Sequence, residues 1–290
     1  MPNRRTSILR HLQSLVGERH PDSAPRALRQ AAEYLTARFV EYGWTTSGQP
    51  FRASGKSYFN IVATKAPSGR PAKDVPAPLL IGAHYDTVEA SPGADDNASA
   101  LAVLLEAADR LRKTAVTRPV WLVAFCLEEE GLLGSRAFIS RLKQTGQVLE
   151  GAIILECVGY SSHEAGSQRT PPGLPISVPS VGNFLGVVGN EASRHLVAAV
   201  ERSARRVAPA TPAVALTVPA RGEALPDVRR SDHAAFWDEG YPAIMLTDTA
   251  NFRNPHYHQP SDTLDTLNLD FLAGVSDIVV GCVEDLAGVH

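Results

Sequence analysis

The residues best able to do chemistry in this sequence are histidines and carboxylates that follow short apolar stretches. His84 and Asp86 follow LLIGA in the segment LLIGAHYDTV, and an acidic run at 128–130 follows the apolar residues 119–127. Imidazole nitrogens and carboxylate oxygens are the ligands that zinc and similar divalent ions prefer in proteins. These residue types therefore predict a metal site.

Two further apolar runs end in the same way. Glu156 follows GAIIL, and His258 lies in the loop DTANFRNPHYHQPSDT that follows the run at 243–247. Each of the four runs is typical of a strand that is buried on both faces of a parallel sheet. Because open α/β sheets bind ligands at the carboxyl ends of their strands, the four polar segments are predicted to meet at one edge.

Each candidate also has a simpler structural interpretation. An isolated His84-x-Asp86 pair is more often a buried core histidine and a turn-forming aspartate. Asp95 and Asp96 in SPGADDNASA could merely cap the helix that follows them. Glu128, with its two acidic neighbours, is harder to explain in this way, since three carboxylates at the end of a buried strand repel one another unless a cation lies nearby.

The remaining pattern predicts an α/β fold in one domain, residues 1–290. Helices are expected at 5–16, from Pro25 to Gly43, after residue 100, at 131–143, at 191–207 and from residue 272 onward. Strands are expected at 44–52, 57–65 and 213–218 in addition to the four apolar runs named above. The Pro-rich stretch 67–78 is predicted to be a surface loop. Segment 159–189 is rich in Gly, Pro and Ser and lacks periodicity, and it is predicted, together with segment 219–231, to form loops that shape a pocket.

Composition narrows the class of protein. The chain has 290 residues, 44% of them hydrophobic, and a net charge of −3 without a long basic run, which argues against a nucleic-acid partner. We expect no membrane partner, because no stretch approaches the length of a membrane span and the first 20 residues do not resemble a signal peptide. Three cysteines, all in apolar segments, favour buried thiols in a reducing compartment, so we expect a cytoplasmic protein.

The motifs together resemble the two-zinc aminopeptidase family, which also includes glutamate carboxypeptidase II and the glutaminyl cyclases. The segments GAHYDTV, SPGADDNASA, CLEEEGLLGS, ILECVGY and NPHYHQPSDT are similar to the five metal-site segments of that family, in order, over residues 82–263. The resemblance implies a three-layer α/β/α sandwich with a mixed, largely parallel central sheet, the phosphorylase/hydrolase-like zinc-exopeptidase architecture. It also implies hydrolysis of N-terminal peptide bonds in peptide substrates.

The resemblance assigns a role to each matching position. His84, Asp95 and Glu156 would hold one Zn²⁺, and Asp95, Glu129 and His258 a second one. Asp95 would thus bridge the two ions. Asp95 followed by Asp96 resembles the family's Asp-Asp pair, in which a cis peptide bond is usual. Many relatives have Asp where this chain has Glu156, and both residue types offer oxygen ligands.

Three further residues receive catalytic roles from the same resemblance. Asp86 would orient His84, Glu128 would act as general base, and Tyr257 would donate a hydrogen bond to the oxyanion. His256 lies two residues from His258 and is a weaker ligand candidate. Asp232 and His233 resemble a segment near the family's pocket, where a structural role is about as well supported.

Two other functions are compatible with this type of fold. A glutaminyl-cyclase-like acyltransferase would use a single zinc ion and is expected to have Trp before the ligand histidine, where this chain has Tyr257. A non-catalytic binding domain would lack ligands or the base, whereas this chain has a candidate for every role. Manganese and cobalt fit similar ligand sets, but nitrogen and oxygen ligands together with the resemblance favour zinc.

Overall fold

Eight strands in the described part of the chain form one mixed sheet. The computed structural model describes residues 4–69, 71, 74–174 and 176–289. Residues 70, 72 and 73 of the predicted Pro-rich loop, residue 175 of the segment 159–189, and both chain ends lie outside the described residues. In chain order the strands are β1 (Thr45–Ala53), β2 (Lys56–Lys65), β3 (Leu79–His84), β4 (Val120–Phe125), β5 (Gly151–Glu156), β6 (Leu185–Asn190), β7 (Ala213–Val218) and β8 (Ala243–Thr247).

The centre of the sheet is parallel. The spatial order is β1-β2-β4-β3-β5-β8-β6-β7, and β4, β3, β5 and β8 all run in the same direction. His84 is paired with Phe125 in this register, and Glu156 with Thr247. The carboxyl ends of the four central strands therefore lie at one edge, as the sequence predicts.

Strands β2, β6 and β7 run against this centre. The hairpin of β1 and β2 is antiparallel and continues antiparallel onto β4. On the other side, β6 and β7 are parallel to each other but antiparallel to β8. The sheet is thus mixed and largely parallel, with an antiparallel extension at each side.

Helices cover both faces of the sheet. The larger core joins one face to α1 (Arg4–Leu15), α2 (Pro25–Glu41), α3 (Ala100–Leu111), α5 (Arg194–Val207) and α7 (Leu269–Ala287). The smaller core joins the other face to α4 (Leu133–Thr145) and α6 (His233–Asp238). Every residue of β3, β5 and β8 is buried, which explains why these strands are apolar without alternation. The predicted three-layer α/β/α architecture is confirmed.

One predicted loop contains a strand. Residues 185–190 at the end of the segment 159–189 form β6. Gly186 and Gly189 mask the strand in the sequence, since glycine has low strand propensity. Packing favours glycine at both positions, because a Cβ atom on Gly189 would clash at 2.6 Å with Val197 Cγ2 and one on Gly186 would make a tight contact of 3.1 Å with the Thr247 carbonyl oxygen.

Two other expectations concern cysteines and membranes. Cys126, Cys157 and Cys282 are buried free thiols. In the part of the chain that the structure describes, no helix has the length and apolar character needed to cross a membrane.

Candidate active site

His84 lies at the carboxyl end of β3 and is almost fully buried. Its Nδ1 lies 3.2 Å from the backbone oxygen of Asp86 and 3.7 Å from Oδ1 of the same residue. The Asp86 carboxylate also accepts hydrogen bonds from the backbone N–H groups of Glu128 and Glu129, each at 3.1 Å. Asp86 therefore ties the end of β3 to the acidic run after β4, in addition to lying beside His84.

A single carboxylate lies between the two predicted ligand histidines. Asp96 Oδ1 is 3.1 Å from Nε2 of His84, and Asp96 Oδ2 is 3.0 Å from Nε2 of His258. Asp96 lies at a kink with non-helical backbone angles in the turn Ala94–Ser99, which leads into α3. The position of its two oxygens is the one expected of a carboxylate that bridges two ions.

This geometry corrects the assignment of Asp95 as the bridging residue. The Asp95 carboxylate faces away from both histidines and accepts hydrogen bonds from the Gly159 N–H at 2.8 Å and from Asn254 Nδ2 at 2.7 Å. The cis peptide bond is also one residue further along, at Asp96-Asn97. The two adjacent side chains point in different directions. The Asp96 carboxylate lies between the two histidines, whereas the Asp95 carboxylate binds the surrounding chain.

Glu156 approaches His84 from β5. Its Oε2 lies 3.4 Å from His84 Nε2 and accepts a hydrogen bond of 2.7 Å from Ser231 Oγ. The Cys157 thiol lies beside the other oxygen, with Sγ 3.3 Å from Oε1. The chain thus holds the Glu156 carboxylate between the sheet and the segment before α6.

The acidic run after β4 separates into distinct positions. Glu129 Oε2 is 3.3 Å from His258 Nε2, and Glu128 Oε2 is 4.0 Å from His84 Nε2. Glu130 is mostly exposed and lies 3.5 Å from His20 Nε2, outside this cluster. Glu128 and Glu129 therefore face the two histidines from the same strand end.

The electrostatics of the cluster reflect burial and crowding. Burial, followed by the charges of Glu156 and Glu129, raises the pKa of Glu128 well above its usual value. Burial and Asp96 raise the pKa of Glu129 to about 7. Burial alone would lower the pKa of His84, but the carboxylates of Glu156 and Glu128 outweigh it and raise that pKa well above the usual range.

The donor atoms of this cluster fit divalent metal ions. Among the described residues, several buried atoms that face one another have no hydrogen-bond partner: His84 Nε2, His258 Nε2, both carboxylate oxygens of Asp96 and Glu129 Oε1. Buried polar atoms without partners are costly, and bound cations commonly satisfy them. Imidazole nitrogens with carboxylate oxygens form the ligand set expected for zinc.

The weaker candidates lie outside the cluster. His256 pairs through Nδ1 with Ser261 Oγ at 2.9 Å. His233 is buried, with Nε2 2.7 Å from the Val228 carbonyl oxygen and its ring edge-on to Trp237. Asp232 is buried behind the site, and burial raises its pKa to about 7. The geometry gives none of these residues the position of a ligand beside Asp96.

Tyr257 covers one side of the cluster. Its ring stacks on that of His258, with centroids 3.8 Å apart, and its hydroxyl lies 3.3 Å from Arg230 Nη2. Burial and the charge of Asp96 raise the pKa of Tyr257. The hydroxyl therefore stays protonated and can donate a hydrogen bond.

A mainly apolar cavity adjoins Glu156 and Tyr257. Its volume is about 100 Å³, several times the space that one water molecule needs. Both predicted pocket loops contribute to it, as do β6, β7 and β8. The apolar lining includes Leu174, Ile176, Val178, Phe184, Val188, Val214, Leu216, Val228 and Met245.

Sequence reasoning did not identify the residues that hold the ligand segments in place. Asp262 accepts hydrogen bonds from the backbone N–H groups of Asp95 at 2.9 Å and Asp96 at 3.1 Å. The Asn97 side chain donates to the Leu155 carbonyl oxygen and accepts from the Cys157 N–H. Both residues lie within motif segments, and this location was the only signal for them in the sequence.

Comparison with known proteins gives one family for most of the chain. Residues 60–283 match the sequence profile described as Peptidase family M28. The chain is 33% identical over 293 residues to the uncharacterized protein YfbL of Escherichia coli strain K12, covering 96% of this chain and 86% of that protein.

A further sequence relative and a protein of similar structure both carry the description aminopeptidase. The chain is 27% identical over 227 residues to the probable leucine aminopeptidase 1 of Trichophyton verrucosum, covering 73% of this chain and 55% of that protein. It therefore spans little more than half the length of the fungal relative. The crystal structure of the Legionella pneumophila LapA aminopeptidase has the same fold, with a TM-score of 0.73 at 23% identity, covering 98% of this chain and 72% of that one.

Proposed function

Because the chain belongs to peptidase family M28, we propose that it is a metal-dependent aminopeptidase that hydrolyses the first peptide bond of a substrate with a free N-terminus. The observation that carries this proposal is the position of Asp96, whose two oxygens lie 3.1 Å and 3.0 Å from the Nε2 atoms of two different histidines. A carboxylate in this position is suited to join two divalent ions.

The distances divide the cluster into two sets of ligands that share Asp96. His84, Asp96 and Glu156 would hold one ion, since both carboxylates lie within 3.4 Å of His84 Nε2. Asp96, Glu129 and His258 would hold the other, since both carboxylates lie within 3.3 Å of His258 Nε2. Three carboxylates balance three of the four charges on two divalent ions, and zinc is the ion that the donor types favour.

Bound metal ions would supply Lewis acidity toward the scissile carbonyl and lower the pKa of a water molecule. Glu128 faces the cluster without a place in either ligand set, so it is free to accept a proton from the attacking water and to deliver that proton to the departing amine. Its raised pKa suits both steps. Tyr257 would donate its hydroxyl hydrogen to the oxygen of the carbonyl as negative charge develops there.

The apolar cavity would bind the side chain of the N-terminal residue. It lies against Glu156 and Tyr257, and so it places a bound side chain next to the metal ligands. Its apolar lining favours aliphatic or aromatic side chains over charged ones. The surrounding carboxylates would attract the free α-amine of the peptide.

A panel of peptides tests this proposal directly. We expect the purified protein to release the N-terminal residue from a Leu-initiated peptide, and to release nothing from the same peptide when its N-terminus is acetylated. A chelator should abolish the release, and added Zn²⁺ should restore it. Chelator-insensitive release, or cleavage of the acetylated peptide inside the chain, would contradict the proposal, and cyclisation of an N-terminal Gln with only one bound ion would favour the glutaminyl-cyclase alternative.

A further inference from the structure

We propose that Arg19, in the segment between α1 and α2, is a positioning residue that holds the loop between His84 and Asp96 in the shape needed for metal binding. The inference rests on the metal site proposed above. It adds a residue from the N-terminal part of the chain, outside the range 60–283 that matches the family profile. Motif comparison within that range therefore could not identify it.

The Arg19 side chain is only 2% exposed and binds backbone oxygens of two separate segments. Its Nε donates to the Tyr85 carbonyl oxygen at 2.9 Å, and Nη2 donates to that of Gly93 at 3.1 Å. Nη1 donates to the carbonyl oxygens of Pro92, Gly17 and Leu15. One guanidinium thus joins the end of α1 to both ends of the loop at 85–93.

Two backbone contacts strengthen the same connection. The N–H of Arg19 donates to Thr87 Oγ1 at 2.8 Å, and the N–H of Gly17 donates to the Pro92 carbonyl oxygen at 2.8 Å. The loop begins one residue after ligand His84 and ends three residues before Asp96. The loop is therefore the direct covalent connection between these two side chains, and its path contributes to their separation.

Gly93 shows how closely the chain packs between Arg19 and Asp96. Its φ is +60°, and a Cβ atom there would lie 2.9 Å from Arg19 Nη2 and 2.4 Å from the Asp96 carbonyl oxygen. No side chain fits in this space. A change in the Arg19 side chain is therefore transmitted to the turn that carries Asp96 through a single residue.

The choice of arginine has a physical reason. The guanidinium presents five N–H donors in a rigid planar fork, whereas an ammonium group is a point charge with three donors on a flexible stem. All five acceptors that the fork contacts are neutral carbonyl oxygens. The buried positive charge is offset at longer range by Asp96, Asp86, Asp262 and Glu129.

Cobalt binding to the folded protein measures this role without depending on turnover. Co²⁺ is titrated into metal-free wild type, R19M, R19K and R118M, and its visible absorption reports both affinity and ligand geometry. R118M is the matched control, because Arg118 also donates to two backbone carbonyl oxygens, of Leu286 and Ala77, but lies at the amino end of β4 away from the site. Thermal unfolding of each metal-free variant defines the temperature at which all are folded.

We expect R19M to bind Co²⁺ about 10- to 100-fold more weakly than wild type with an altered spectrum. R19K should show a smaller loss, and R118M should bind as wild type does. Wild-type affinity and spectrum in folded R19M, or an equal loss in R118M, would overturn the inference. If R19M does not fold, R19K decides, since wild-type binding by R19K would contradict a role for the guanidinium fork. Failure of the wild type itself to bind a divalent ion would instead refute the proposed function.

Discussion

The polar cluster and the apolar cavity lie side by side but are built in different ways. In the cluster, His84 and Glu156 end central strands, and Asp86 and Asp262 hold the backbone beside Glu128 and Asp96 with hydrogen bonds. The cavity is enclosed mainly by side chains from two long loops and from strands β6, β7 and β8. The cluster is therefore fixed by directional bonds, and the cavity by packing.

This difference separates two kinds of functional effect. Hydrogen bonds place the reacting groups, so changes in the cluster should reduce the rate of the chemical step. Packing sets the shape of the cavity, so changes there should alter the choice of substrate and leave the chemistry intact. Substitutions in the two regions therefore distinguish the two kinds of effect.

The largest effect is expected from Glu128→Gln. The amide cannot accept a proton from the attacking water, so kcat should fall by about 10²- to 10⁴-fold while metal content and fold are retained. Steady-state kinetics on a Leu-initiated peptide, with elemental analysis of the same sample, provide the measurement. Glu130→Gln is the matched control, since Glu130 belongs to the same acidic run but lies outside the cluster and should keep wild-type activity. Full activity in Glu128→Gln would remove the assignment of the base.

A smaller loss is expected from Tyr257→Phe. Removing one hydrogen bond to the developing oxyanion should lower kcat by about 10²- to 10³-fold with little change in KM. Tyr241→Phe controls for the loss of a tyrosine hydroxyl, because that hydroxyl donates to the Gln147 carbonyl oxygen away from the site. A rise in KM alone would show that Tyr257 contributes to substrate binding and not to the chemical step.

In the cavity, Val188→Phe should change the preference for the N-terminal side chain of the substrate without impairing the catalytic groups. The larger side chain occupies space that a substrate side chain would use, so kcat/KM for a Leu-initiated peptide should fall by about 10- to 100-fold. An Ala-initiated peptide serves as the internal control and should be cleaved nearly as well as by wild type. An equal loss on both substrates would place the damage in the cluster, and the separation of the two regions would be wrong.

The most modest effect is a dependence of metal affinity on pH. Burial would lower the pKa of His258, but Asp96 and Glu129 outweigh it and raise that pKa to about 10 in the metal-free protein. A metal ion must therefore displace this proton at neutral pH. As the pH rises, the affinity for the metal ion should increase by about tenfold per pH unit for each proton released. Calorimetric titrations in two buffers of different ionisation enthalpy count the protons, and His258→Gln should release one fewer. Affinity that does not change between pH 6 and 8 would contradict this account.

The central part of the fold follows from local sequence properties. Strands β3, β5 and β8 are buried on every residue, so their apolar runs can be recognised without knowledge of the tertiary structure. The polar residue after each run then gives the edge of the sheet where the site lies. Strand β6 could not be recognised in the same way, because its two glycines, Gly186 and Gly189, reflect close packing against distant residues such as Thr247 and Val197.

The sequence identifies the segments that form the candidate site, but it does not always identify which residue within a segment is the ligand. Which of Asp95 and Asp96 faces the histidines depends on Asp262, Gly159 and Asn254, which hold the turn from elsewhere in the chain. No local pattern distinguishes two adjacent aspartates in such a turn. The cavity was less predictable still, since its shape results from packing between segments that are far apart in sequence.

Metal stoichiometry in a matched pair of variants tests the central claim most directly. The claim is that Asp96 joins two ions and that Asp95 supports the backbone around it. Elemental analysis of the wild-type protein should give about two ions per chain. Asp96→Asn should lose at least one of them, and Asp95→Asn, with its fold verified by thermal unfolding, should keep both. Full metal content in Asp96→Asn together with loss of metal in Asp95→Asn would contradict the account and return the bridge to Asp95.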